Sequence, residues 1–287
     1  MRLYTIEAKN RLFAAVEGKD GRPVTLESMK IKVKDMNDLI IHFDELYPLI
    51  ADGLQSAEKE AEGIAYRIKA PIPVPMQDII CLGVNYRAHI EETADVLDFS
   101  KKTATVYFSK RVNAANDPGG IIPAYDFVDS LDYEAELAVI LKKDALNVPA
   151  EEAADYILGY TIINDVSARN LQFKHQQWYR GKSLDGYTPM GPSIVTADEI
   201  DDAHDLDIFC YVNDEKRQAS NTKYMITSPE QALSELSQGM LLKAGTIIAT
   251  GTPGGVALGK KPPVYLKRGD VIRCEIQGIG SLVNKVG

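Results

Sequence analysis

The chain has 287 residues, 45% hydrophobic and 25% charged, enough for one large domain or a large domain with a small companion. Its 32 basic and 41 acidic side chains leave a net charge of −9. That balance argues against a general binder of nucleic acid or anionic membranes, but it leaves room for a locally positive pocket.

The three cysteines, Cys81, Cys210 and Cys274, are far apart and form no C-x-x-C, so neither a zinc knuckle nor a disulfide framework is expected. The N-terminus MRLYTIEAKNR lacks an apolar h-region, and no apolar run approaches a membrane span. A cytoplasmic protein is the expectation.

Residues 1–72 read as a small accessory α/β region. LYTIEA and RLFAAVEG have strand character around a Lys9-Asn10 turn. A helix is predicted over DMNDLIIHFDELYPLIADG, 35–53, on the helical spacing of Met36, Leu39, Ile40, Phe43, Leu46, Tyr47 and Ile50, with Gly53 as its stop and His42 as a surface or packing side chain. Pro71, Pro73 and Pro75 mark an extended linker, and the larger domain, 73–287, begins there.

In that domain Ile79–Leu82 reads as a short buried strand, Gly83 as a turn, and the stretch from Tyr86 as a helix. His89 and Glu92 then share one face with Glu91 turned away, the geometry of a general-base dyad or of an ordinary surface helix. The polar segment 86–102 has the character of a movable lid.

TVYFSK, 105–110, is another strand. LDYEAELAVIL, 131–141, reads as one strand with Leu131, Tyr133, Ala135, Leu137 and Val139 on its apolar face and Asp132, Glu134 and Glu136 on the other. Two carboxylates at i and i+2 either converge on a cation or line a solvated face. A helix over 150–158 leads to YTIIND, where Asp165 ends an apolar strand as a third carboxylate or a helix N-cap. With a helical turn starting there, Arg169 and Gln172 project from its side, Arg169 serving otherwise as its ion-pair partner. Lys182 falls in a turn-rich loop that also holds Trp178.

Strands are expected around Asn213-Asp214, a helix near 229–239 capped by Ser228 with Pro229 at its first turn, a strand running into the glycine loop TGTPGG, and closing strands to 286. GGVALGKK, 254–261, nearly matches a phosphate-binding loop. Lys261 replaces the hydroxyl residue, however, and Pro262-Pro263 block the following helix.

Taken together, GVNYRAHIEE (83–92), LDYEAEL (131–137), GYTIINDVSARNLQ (159–172), RGKSLD (180–185), GPSIVT (191–196), SNT (220–222), TGTPGGV (250–256) and YLKRGD (265–270) resemble the fumarylacetoacetate hydrolase family over about 78–287. The departure is YFSKRVNAAN, 107–116, where members often carry an F-F-K-P-like strand end. The resemblance implies an α+β fold, a compact multi-sheet β-roll with peripheral helices. It implies a divalent metal on Glu134, Glu136 and Asp165, for which hard oxygen ligands suit Mg²⁺ or Mn²⁺ and less specifically Ca²⁺.

It further implies His89, Glu92 and Lys182 as catalytic groups, and Tyr86, Arg169, Gln172 and Thr252 as contacts for a small anionic 2-oxo acid, in a homodimer. The leading expectation is acylpyruvase-type C–C hydrolysis through an enolate. The alternatives are oxaloacetate decarboxylation, 2-hydroxyhepta-2,4-diene-1,7-dioate isomerisation, ureidoglycolate cleavage, or a non-catalytic 2-oxo acid binding protein.

Overall fold

The structure is a computed structural model that describes residues 1–57, 65–95 and 104–287. Its centre is set by four apolar segments, Ile79–Gly83, Ala135–Leu141, Ile157–Asn164 and Ile247–Ala249. Ala135–Leu141 and Ile157–Asn164 are buried along their whole length, and the four are flanked by layers on both sides. Among the described residues the strands form a ten-stranded sheet, a five-stranded sheet and a two-stranded pair. Across the middle of the large sheet run Met190–Thr196, Ile157–Asn164, Ala135–Leu141, Ile247–Ala249, Ile79–Gly83 and Val106–Lys110, in that order. Neighbours there are antiparallel except Ile247–Ala249 with Ile79–Gly83.

The strand periodicity of residues 131–141 divides the core in two. Leu137, Val139 and Leu141 pack with Ile208, Cys210, Ile272, Cys274 and Leu282 of the five-stranded sheet. Ala138 and Ile140, on the opposite face, pack with Leu39, Ile40 and Ile50 of the N-terminal helices. Each such aliphatic side chain contributes about 1.5–3 kcal/mol on full burial, so the sheet is stabilised from both sides. The result is the α+β class expected.

The hairpin Arg2–Ala8 and Arg11–Glu17 turns at Lys9-Asn10, both with positive φ. Its first strand also pairs with Met190–Thr196, so backbone hydrogen bonds join residues 1–72 to the large sheet. Among the described residues no helix is long and apolar enough to cross a membrane.

Local structure departs from expectation at several points. The helix over 35–53 is two, Met36–Ile41 and Phe43–Ala57. They part at His42, whose ring folds back on the Asp38 carbonyl at 3.0 Å. Gly53 does not stop the second helix; a Cβ there would sit 3.1 Å from Met29 Cβ, so the glycine serves close packing. Residues 150–156 form a 3₁₀ rather than an α-helix.

The strand 131–141 is split into Leu131–Asp132 and Ala135–Leu141. In the gap, side-chain oxygens stand in for ladder acceptors: Glu134 N–H donates to Asn164 Oδ1 and Ala135 N–H to Gln218 Oε1, each at 3.0 Å. The Ser228 cap, with Pro229 opening the helix Pro229–Ser237, is as expected. Of the lid segment, Arg87–Thr93 is helical, and its part from 96 to 102 lies outside the described residues.

Candidate metal centre and active site

The split strand explains how three carboxylates meet. Ala135–Leu141 and Ile157–Asn164 are antiparallel neighbours, with Ile163 opposite Glu136 and Asn164 opposite Ala135. Asp165, one residue past its strand, therefore lands beside Glu134, and its N–H donates to the Glu134 carbonyl at 2.8 Å. Ligand oxygens of Glu134, Glu136 and Asp165 lie within 4.8 Å of one another, all on buried residues.

Asp165 is not a helix N-cap. The helix Arg169–Lys174 begins four residues later, after the two-residue strand Ser167–Ala168. Arg169 does not pair with Asp165 either. It reaches Asp132 at 2.8 Å and Glu134 at 2.7 Å and donates to Gln172 Oε1 at 3.0 Å.

Lys182 is not in an open loop but ends the short helix Tyr179–Lys182. Its ammonium donates to Glu134 at 2.5 Å and Asp165 at 2.7 Å. A second buried ammonium, Lys110 at the end of Val106–Lys110, pairs with the other Asp165 oxygen. The cluster thus holds four buried carboxylates (Asp132, Glu134, Glu136, Asp165) against three buried cations (Lys110, Arg169, Lys182).

Glu136 is the one without an ion pair among these, with Gly251 N–H donating to it at 2.9 Å. Burial, then the Asp165 and Glu134 charges, push its carboxyl well above the usual range of about 4.5. Burial opposes ionisation of Glu134 as well, but Lys182 and Arg169 override it and hold its carboxyl far below that range. The converse holds at Lys182, where burial favours the neutral amine but Asp165 and Glu134 keep the ammonium.

An unneutralised buried carboxylate costs several kcal/mol. Three convergent hard oxygens with one uncompensated charge fit a hard divalent cation. The residues that would hold Mg²⁺ or Mn²⁺ are Glu134, Glu136 and Asp165, the three that the family resemblance implies.

The dyad forms as its spacing predicts, with His89 Nδ1 and Glu92 Oε1 2.8 Å apart on the helix Arg87–Thr93. The glycine loop fixes it from the other side. Gly255 N–H donates to Glu92 Oε2 at 2.6 Å, and a Cβ on Gly259 would lie 2.6 Å from the same carboxylate. Gly255 itself has φ of 107°, and a Cβ there would meet the Arg217 carbonyl at 2.1 Å, so the loop can take this path only with glycine.

Ala257 and Leu258 N–H donate to Asp132 at 2.8 and 3.1 Å. The loop that resembles a phosphate cradle is occupied by two of the protein's own carboxylates. Thr252 Oγ1 donates to Ala135 O at 3.0 Å and accepts from Gln218 Nε2 at 2.7 Å.

A cavity of about 20 Å³ lies against the cluster. Its polar wall includes His89, Glu134, Glu136, Arg169, Gln172, Lys182 and Thr252, and its apolar wall Leu82, Val84, Phe108 and Trp178. Tyr86 does not line it. Its ring is buried, its hydroxyl has no hydrogen-bond partner among the described residues, and burial followed by the Glu136 charge raises the phenol well above its ordinary value.

Val84 holds φ of 48°, a region β-branched residues rarely adopt. The turn is fixed by the Asn85 amide, which donates to the Thr227 and Thr250 carbonyls at 2.9 and 2.8 Å. Sequence reasoning missed Lys110, Gln218 and the pairing role of Asp132. Lys110 and Asp132 carried a signal, since charged residues at buried strand positions need partners. Gln218 carried none.

Residues 78–287 match the family model described as "Fumarylacetoacetate (FAA) hydrolase C-terminal". The chain belongs to the fumarylacetoacetate hydrolase family. Over the full length of both chains it is 37% identical to a Bacillus subtilis protein named oxaloacetate tautomerase YisK. A solved fumarylacetoacetate hydrolase from the psychrophile Exiguobacterium antarcticum superposes with a TM-score of 0.84 at 37% identity, covering 100% of this chain and 99% of that one. A maleylpyruvate hydrolase from Sphingobium, solved with manganese(II) and pyruvate, superposes with a TM-score of 0.77 at 28% identity, covering 100% and 98%. As a family member the chain is an enzyme, and these relatives carry the names of small organic acids.

Proposed function

We propose that this enzyme is a divalent-metal-dependent tautomerase of small 2-oxo acids of the oxaloacetate type. The observation that carries the reading is the buried carboxylate triad with one uncompensated charge, set beside a His–Glu dyad and a buried ammonium. The name of the full-length relative, an oxaloacetate tautomerase, supports it, so the expected C–C hydrolysis moves to second place. When bound, the metal supplies Lewis-acid polarisation to the oxygens of a chelating 2-oxo acid.

The protein's own groups do the rest. Two Lys182 protons go to Glu134 and Asp165. An ammonium has three, so the last is available to an oxygen at C2 as negative charge grows there. With Nδ1–H given to Glu92, His89 keeps its Nε2 lone pair for a proton on C3. The reaction moves one proton between C3 and the C2 oxygen and breaks no heavy-atom bond, so one imidazole suffices as carrier.

Acylpyruvase hydrolysis remains the second reading, favoured by the closed His89–Glu92 dyad. There the dyad takes a proton from water, hydroxide adds to the distal carbonyl, and the C–C bond electrons leave as pyruvate enolate, which is then protonated. A panel with and without Mg²⁺ or Mn²⁺ decides between them: enol-oxaloacetate, followed by loss of enol absorbance, and acetylpyruvate, fumarylpyruvate and 2-hydroxyhepta-2,4-diene-1,7-dioate. Metal-dependent acceleration of the oxaloacetate equilibrium without pyruvate release supports the proposal. Pyruvate release from an acylpyruvate with no effect on the oxaloacetate equilibrium replaces it by the hydrolase reading.

A further inference from the structure

The apolar wall opposite the carboxylates rests on one ring. Trp178 stands four residues before Lys182, and its carbonyl accepts the Lys182 N–H at 3.2 Å, so the turn that delivers the ammonium also delivers the indole. The ring lies across Gly83, where a Cβ would be 2.6 Å from Cζ3 and 3.0 Å from Cη2. It meets Phe108 edge to face, with centroids 5.2 Å apart at 67°, and Phe108 in turn lies 5.3 Å from Lys182 Nζ.

Gly83, Phe108 and Trp178 are thus one packed unit facing the metal ligands. Trp178 is half-buried, its neighbours His175–Gln177 and Tyr179–Arg180 are exposed, and the space behind it is about 20 Å³. That is room for about one water. Trp178 and Phe108 are the two partly exposed side chains of this cavity's lining, whose other members are buried.

We propose that Trp178, seated on Gly83, is the specificity-determining wall of the site, admitting short 2-oxo acids and rejecting those with a bulky group beyond the reacting carbons. The inference rests on the 2-oxo acid reading and names its size limit. With room for about one water, the site takes a compact acid with less displacement of the indole than a long one. An aryl or long acyl group needs the ring moved off Gly83 and Phe108 altogether.

Binding tests this independently of turnover. With Mg²⁺ present, calorimetry gives Kd for oxalate as the short ligand and benzoylpyruvate as the bulky one, on the wild type, Trp178→Ala and Gly83→Ala. Trp178→Ala removes the wall. Gly83→Ala keeps the indole but lifts it with one methyl group.

The expected result is a benzoylpyruvate-to-oxalate affinity ratio raised at least tenfold in Trp178→Ala and shifted the same way, less strongly, in Gly83→Ala, with Mg²⁺ affinity within twofold of wild type. Trp178 is the single tryptophan, so oxalate should also change the wild-type emission with the calorimetric Kd. A ratio within twofold of wild type in both variants, or saturable oxalate binding with unchanged emission, overturns the proposal. If one variant does not fold, the other still decides. Failure of any 2-oxo acid to turn over, with the ratio shifted, sinks the tautomerase reading and leaves the wall standing.

Discussion

Glu136→Gln isolates the one uncompensated charge. Glutamine has the same shape and keeps an acceptor for the Gly251 N–H, but it removes the repulsion from Glu134 and Asp165 that leaves Glu136 hard to ionise. Two opposite effects follow. With metal at about 100 times its Kd, the wild type gains about 2.7 kcal/mol, which for a chain of this size is a rise of roughly 5 °C in Tm. The variant, lacking one of the three proposed ligands, should lose most of that rise. Without metal, it should be at least as stable as the wild type at neutral pH, because it no longer buries an unpaired carboxylate.

The sign of the pH effect follows from the raised carboxyl. The folded state holds the Glu136 proton more tightly than the unfolded chain. The stability this gives is fully present below about 4.5 and is lost as pH rises through the folded-state value. Glu136→Gln removes that loss, so the difference between variant and metal-free wild type should grow in the variant's favour with pH. Metal binding should also expel a proton from the wild type and strengthen as pH rises. Thermal melts of both proteins with and without Mg²⁺ or Mn²⁺, at pH 5.5 and 8, read all of this. An undiminished metal-dependent rise in Glu136→Gln refutes the ligand assignment; a metal-free variant less stable than wild type at pH 8 refutes the charge argument.

Other residues separate the roles further. His89→Ala should abolish turnover while calorimetric Mg²⁺ affinity stays within about threefold, since His89 is not a ligand; comparable loss of metal binding contradicts its assignment. Asp132→Asn breaks a buried pair with Arg169 and weakens the hold on the Ala257 and Leu258 amides. It should destabilise by about 3–5 kcal/mol in a urea melt, and a loss below 1 kcal/mol would count against the network. Lys110→Met strips Asp165 of one cation and should destabilise the metal-free protein by a similar ~3–5 kcal/mol, with part of the loss recovered on adding Mn²⁺. A variant whose deficit is the same with and without metal would show that Lys110 does not share the cluster's charge balance.

Local physics makes the parts of the three-carboxylate cluster legible, and the family resemblance joins them into one candidate metal site. In residues 131–141 the alternation of apolar and acidic residues survives into the structure, with Leu131, Tyr133, Ala135, Leu137 and Val139 in one core cluster. A carboxylate can occupy the other side only near a strand end or with a partner. Asp165, at the end of an apolar run, is placed by antiparallel pairing alone. The three-residue spacing of His89 and Glu92 is likewise a local geometric fact.

Partners distant in sequence were not legible. Spacing along the chain offers Asp165 as an ion-pair partner for Arg169, yet Arg169 lies against Asp132 and Glu134, 37 and 35 residues away, because the pair Leu131–Asp132 with Ser167–Ala168 intervenes and turns the helix start. The break in the strand at Glu134 was invisible for the same reason. It depends on amide side chains of Asn164 and Gln218 reaching in from other segments.

The glycine loop shows why such contacts matter more than the motif that suggests them. The sequence 254–261 has the composition of an anion cradle, and the structure does present inward amides there. Their anions are Glu92, from the helix that carries His89, and Asp132, which holds Arg169 against Glu134. Backbone amides that satisfy internal carboxylates cannot also serve a phosphate without releasing them. A bound nucleotide would therefore have to displace both Glu92 and Asp132, unfastening the dyad and the Arg169 pair together. The same amides that exclude that ligand fix His89 relative to Glu134, through Glu92, the loop, Asp132 and Arg169. The geometry of the candidate site is thus set by a loop whose amides bind the protein's own carboxylates.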